Sequence, residues 1–129
     1  MNKVLVIGHS PGPTDIMKKR NRSASLNRLN SWLDACGVRI YSFSNLSAHH
    51  VPVLKKSDID ETLIKECVKG YTKIITLGNE VAHYFKKLGV EHFAAPHPSP
   101  LNRKFNDKTF EPALIKSLQK YLNVVEYKK

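Results

Sequence analysis

Lys3-Val4-Leu5-Val6-Ile7-Gly8-His9-Ser10-Pro11-Gly12-Pro13 is the stretch that decides the fold. From Lys3 to Ile7 the chain is a continuous run of β-branched residues and leucine, closed by Gly8, with no polar residue interrupting its apolar part. A strand with one wet face alternates apolar and polar residues. A strand buried on both faces of a parallel sheet does not need to. The glycine- and proline-rich loop that follows therefore leaves the carboxyl edge of such a sheet, where open α/β folds place their ligand sites.

Working outward, the same alternation of short apolar runs and helical periodicity repeats three more times. The segment from Asp15 to Ser23 is polar and basic and is expected to be a loop, either solvated or in contact with phosphates. Leu26, Leu29, Trp32 and Leu33 then recur at helical spacing, with Gly37 as the stop, and Trp32 reads as a core residue. Val38 to Phe43 is expected to be the second strand. Ser57, with Asp60 and Glu61 behind it, is expected to start a helix whose apolar stripe is Ile59, Leu63, Cys67 and Val68, ended by Gly70.

Lys73 to Leu77 reads as the third strand, closed by Gly78 and Asn79. Val81, Tyr84, Phe85 and Leu88 mark the next helix, ended by Gly89, and Val90 to Ala94 reads as a short fourth strand. Pro112 suits the first turn of a last helix facing the core with Leu114, Ile115, Leu118 and Leu122. The alternation predicts one domain over residues 1–129. Its expected class is α/β: a three-layer α/β/α arrangement around a four-stranded parallel sheet with right-handed crossovers.

Composition narrows the class of partner. The 129 residues carry 21 Lys+Arg against 11 Asp+Glu, a formal charge of +10, which favours a polyanion through phosphate contacts and counterion release. Cys36 and Cys67 lie on apparently helical segments without Cys-x-x-Cys spacing and read as reduced thiols. Other potential ligands are scattered, so no metal and no cofactor is expected. The opening residues run straight into a strand rather than a charged leader, and no segment approaches the roughly twenty apolar residues that span a bilayer. A cytoplasmic monomer with no membrane contact is expected.

The second informative stretch is Ala95-Pro96-His97-Pro98-Ser99-Pro100-Leu101-Asn102-Arg103-Lys104. Prolines at alternate positions fix φ and remove donors, so this segment is expected to be a stiff, exposed loop that can aim a side chain. It presents an imidazole, a hydroxyl, a leucine and a basic run. An apolar wedge on a basic loop suits unstacking a base step, or filling the gap left by a rotated nucleotide.

His97-Pro98-Ser99-Pro100-Leu101 resembles the C-terminal signature loop of the uracil-DNA glycosylase superfamily. Gly8-His9-Ser10-Pro11-Gly12 is similar to that superfamily's first motif, and Tyr41-Ser42-Phe43-Ser44-Asn45 to the strand whose terminal asparagine reads a pyrimidine edge. Leu77-Gly78-Asn79-Glu80-Val81-Ala82 is similar to a Leu-Gly-x-x-Ala helix start found in several branches. The resemblance follows the element order of nearly the whole chain, and these loops carry it.

The resemblance implies a uracil-DNA glycosylase-like fold and a monofunctional hydrolase that flips uracil or a related base out of DNA and cleaves its N-glycosidic bond. His97 would donate to the pyrimidine O2 as charge develops on the leaving base. Asn45 would pair with O4 and N3–H and reject cytosine, in a base pocket shared with Gly8, Pro11, Gly12 and Phe43. Leu101 would fill the vacated stack, and Ser99, Pro100, Asn102, Arg103 and Lys104 would hold the DNA backbone.

In most branches the first motif supplies a carboxylate or asparagine that positions the attacking water. Here those positions hold His9 and Ser10, and the nearest carboxylate in sequence is Asp15. The alternative is a catalytically weak or inactive protein of this fold, acting as a DNA-binding, inhibitory or replication accessory factor.

Overall fold

The structure is a computed structural model that describes residues 3–10, 15–47, 51–99 and 102–122, with the side chains of the first helix described from residue 24 onward. Its elements run β1 (Val4–Gly8), α1 (Asp15–Ala35), β2 (Ser42–Asn45), α2 (Glu61–Val68), β3 (Lys73–Leu77), α3 (Asn79–Leu88), β4 (Phe93–Ala95) and α4 (Phe110–Tyr121). Short 3₁₀ turns occupy Lys56–Asp58 and Arg103–Asn106. The fold is α/β, with a four-stranded, all-parallel sheet in the order β2-β1-β3-β4.

The chain divides into two compact units, each built from two stretches. The first comprises Met1–Lys18 and Ile40–Pro96, and the second Lys19–Arg39 and His97–Lys129.

The sheet belongs to the first unit. Every residue of β1 is buried, as its unbroken apolar run predicts. Register sets Leu5 beside Ile74 and Val6 beside Ile75, so alternate side chains leave opposite faces of the sheet. On one face Leu5, Ile7 and Ile74 join Leu46, Ile64 of α2, and Val81 and Phe85 of α3 in a continuous core. Burying such a side chain contributes about 1.5–3 kcal/mol each, which makes this cluster the main source of stability in the unit.

Several expected boundaries move, each for a physical reason. The second strand is Ser42–Asn45 rather than Val38 to Phe43, because pairing with Leu5 to Gly8 chooses the residues and intrinsic propensity does not; Ile40 is 89% exposed. The fourth strand is Phe93–Ala95 rather than Val90 to Ala94, since the Val90 amide bonds back to the Phe85 carbonyl and finishes the helical turn before it.

Ser57 sits in a 3₁₀ turn, and α2 starts only at Glu61, where the Asp60 carboxylate accepts the Leu63 amide as an N-cap. The buried residue of α2 is Ile64, while Leu63 is 63% exposed. The polar run from Asp15 is the first part of α1 and not a loop. Its lysines, arginines and methionine favour helix, but it has no apolar stripe to announce one.

In the second unit the paired segments are α1 and α4. Trp32 is fully buried, as its spacing predicts, and its indole N–H donates to Glu111 Oε2 at 2.6 Å. Arg28 lies 3.5 Å from the same carboxylate, with its guanidinium 4.0 Å from the centre of the Phe105 ring. Phe105 also meets Trp32 and Phe110, so the 3₁₀ turn at Arg103–Asn106 is stapled to both helices. Gln119 closes the far end by donating to the Ala35 carbonyl. Leu114, Leu118 and Leu122 are buried, and Ile115 is half-buried. Cys36 is buried, which pushes its thiol up to about 11, and both cysteines are free thiols.

Gly78 forms the junction between β3 and α3. Its φ of 94° with ψ of 162° is a combination that essentially only glycine adopts, while its amide still reaches the Ala95 carbonyl at 2.8 Å. Gly78→Ala is expected to cost about 1–3 kcal/mol. Chemical denaturation should show this as a lower midpoint at an unchanged m value. Among the described residues no helix is long and apolar enough to cross a membrane, and no group of three or more His, Cys, Asp or Glu is placed to hold a metal ion.

Candidate active site

Strand order reverses direction at β1. The chain steps from β1 to β2 on one side, then crosses back over to β3 on the other. That reversal falls between the carboxyl ends of β1 and β3, the place where open parallel sheets bind ligands. His9 and Ser10 follow β1, Gly78, Asn79 and Glu80 follow the last residue of β3, and His9 meets Glu80 across the two strand ends.

His9 is held from both sides. Its Nδ1 lies 2.9 Å from the Ser10 hydroxyl, and its Nε2 lies 3.1 Å from Glu80 Oε1. A carboxylate only accepts, so Nε2 carries the hydrogen toward Glu80, and in the neutral ring Nδ1 accepts from Ser10. The other oxygen of Glu80 accepts the Leu54 amide at 2.9 Å, which fixes the carboxylate in turn. Ser10 also lies 3.4 Å from the Val51 carbonyl. The main chain here is anchored because the sheet ladder continues past β2: the Leu46 amide donates to the Gly8 carbonyl and the Ser47 amide to that of His9.

The pair remains open to solvent, with His9 21% and Glu80 46% exposed at the side chain. A pair this exposed contributes little stability, about 0–1 kcal/mol. Its arrangement fits chemistry better than structure, because a hydroxyl, an imidazole and a carboxylate in sequence form a path along which a proton can move.

Asn45 ends β2 and sits opposite Gly8 in register. A Cβ on Gly8 would lie 2.6 Å from Asn45 Oδ1 and 2.9 Å from Phe43 Cζ, so the missing side chain is what lets the amide and the ring close over the end of β1. Phe43 and Asn45 are two residues apart on one strand and so share a face. Phe43 is 46% exposed, leaving ring surface for a planar ligand. Gly8, His9, Ser10, Phe43 and Asn45 are thus brought together.

The loop after β4 carries the second group of expected residues. The Ser99 amide donates to His97 Nδ1 at 3.1 Å, which requires that nitrogen to be bare and leaves Nε2 as the donor of the ring. Asn102 Nδ2 donates to the His97 carbonyl, the Asn102 amide donates to the Ser99 carbonyl, and Asn102 Oδ1 accepts the Lys104 amide. Asn102 is therefore the clamp of the loop as well as a member of its surface.

The described part of the loop is not wholly exposed. His97 is exposed while Pro98 is buried, so the proline ring anchors the segment and the imidazole is turned outward. Arg103 and Lys104 are exposed on the 3₁₀ turn that follows.

Pro11, Gly12, Pro100 and Leu101 lie outside the described residues, as does the side chain of Asp15, whose backbone begins α1. Glu80 was missed by sequence reasoning. Its only signal was its position inside Leu77-Gly78-Asn79-Glu80, because 71 residues separate it from His9 and only the adjacency of β1 and β3 joins them. No family model matches the chain, and comparison with curated proteins finds no match.

Proposed function

We propose that the protein is a compact DNA glycosylase of the uracil-DNA glycosylase type, hydrolysing the N-glycosidic bond of uracil or a related base flipped out of DNA. The observation that carries this reading is the ring of His97. An exposed imidazole whose tautomer is set by the Ser99 amide offers its Nε2 hydrogen as a fixed donor. That is what the developing negative charge on a departing pyrimidine needs, and such preorganised donors are often the largest catalytic term.

Within the first unit, Asn45 carries the amide suited to reading a pyrimidine. Its amide both accepts and donates, matching N3–H and O4 of uracil and opposing the reversed pattern of cytosine. Phe43 offers the stacking face, and Ser99, Arg103 and Lys104 take backbone phosphates. Leu101 enters the stack as the wedge. A chain of formal charge +10 draws the polyanion without specifying sequence.

The test is a single-turnover assay with a labelled oligonucleotide carrying one uracil, single-stranded or opposite G or A, followed by alkali. The expected result is strand cleavage at the uracil position. Intact strands alongside retained, salt-sensitive DNA binding would replace the enzyme with an accessory or inhibitory factor of the same fold.

A further inference from the structure

We infer that Glu80, acting through His9, supplies the negative charge that water attack requires, with Ser10 as the group that touches the water. This rests on the glycosylase reading above, and it assigns a role to a residue that the first-motif resemblance leaves out. The carboxylate set against the end of β1 is Glu80, 3.1 Å from His9 Nε2, with His9 Nδ1 2.9 Å from the Ser10 hydroxyl. Glu80 is a positioning residue here: it fixes which ring nitrogen carries the hydrogen and faces the imidazolium once that forms.

The step balances. The C1′–N bond breaks with its electron pair going to the base, and the water oxygen bonds to C1′. The proton shed by the water passes through the Ser10 hydroxyl to His9 Nδ1, and the resulting imidazolium lies against the Glu80 carboxylate. The proton then goes to the departed base, which restores the neutral ring. No co-reactant beyond water is needed.

Glu80→Gln probes the charge with little change in shape. A glutamine that keeps the Leu54 amide on its oxygen turns its NH₂ toward His9 Nε2, which forces the ring hydrogen onto Nδ1 and removes the acceptor for Ser10. General base catalysis is worth about 100- to 10,000-fold, and a residue one step removed is expected to carry a part of it, about 10- to 100-fold in single-turnover base release.

The experiment compares wild type, Glu80→Gln, His9→Gln and the double variant on uracil DNA, alongside DNA affinity, thermal midpoint and the ¹⁵N shifts that report the His9 tautomer. The expected result is slowed release in Glu80→Gln with affinity and midpoint unchanged, a reversed tautomer, and a double variant no slower than His9→Gln. An unaffected rate in Glu80→Gln, a loss confined to affinity or midpoint, or losses that simply add would overturn the inference while leaving the glycosylase reading intact. A wild type that releases no base overturns both.

Discussion

Replacing His97 with alanine is expected to slow base release about 100- to 1000-fold, a loss of roughly 2.7–4 kcal/mol of transition-state stabilisation, while DNA affinity stays near that of the wild type. The loop should keep its shape without the imidazole. The Asn102 side-chain amide donates to the His97 main-chain carbonyl, and Pro98 is buried. Phe105, packed among Trp32, Arg28 and Phe110, holds the turn that follows. The Ser99 amide loses its bond to Nδ1, which is exposed and replaceable by water. What disappears is the Nε2 donor. Single-turnover rates measured beside equilibrium binding separate the two possibilities, since an equal loss of rate and affinity would make His97 a DNA contact and remove it from the chemistry.

The sheet was legible because β1 is apolar along its length and β3 carries Ile74, Ile75 and Leu77, and a strand covered on both faces leaves little else for such a run to be. The edge was not. β2 alternates Ser42, Phe43, Ser44 and Asn45 and is recruited by its pairing to β1, so the expected strand from Val38 to Phe43 starts four residues too early and ends two too early.

The same distinction divides the candidate residues. His97 and Asn45 can be nominated from sequence because each sits in a motif whose residues are neighbours along the chain. Glu80 and the clamp of Asn102 depend on strand order and on a loop folding back on itself, neither of which has a local signature. The first part of α1 was hidden for a third reason: a polar helix has no stripe to detect.

Gly8→Ala is the sharpest test of the base-reading pocket, with an expected loss of about 100-fold in single-turnover release, the scale that a displacement of about 1 Å costs a reacting group. The backbone accommodates alanine, because Gly8 is a strand residue in regular pairing with Asn45 and has no positive φ to strain. The added Cβ collides instead with Asn45 Oδ1 at 2.6 Å and Phe43 Cζ at 2.9 Å, the ends of two side chains that can swing away. Stability should therefore fall by only about 1 kcal/mol, the low end for overpacking.

Catalysis has no such slack if the amide must meet N3–H and O4 together. Asn45→Ala makes the room that the new methyl needs. The double variant should regain part of the stability lost by Gly8→Ala, the clash with the Phe43 ring remaining, yet release base no faster than Asn45→Ala alone. Release at the wild-type rate in Gly8→Ala would mean that the amide at the end of β2 does not read the base, and the pocket would have to be sought elsewhere on the carboxyl edge of the sheet.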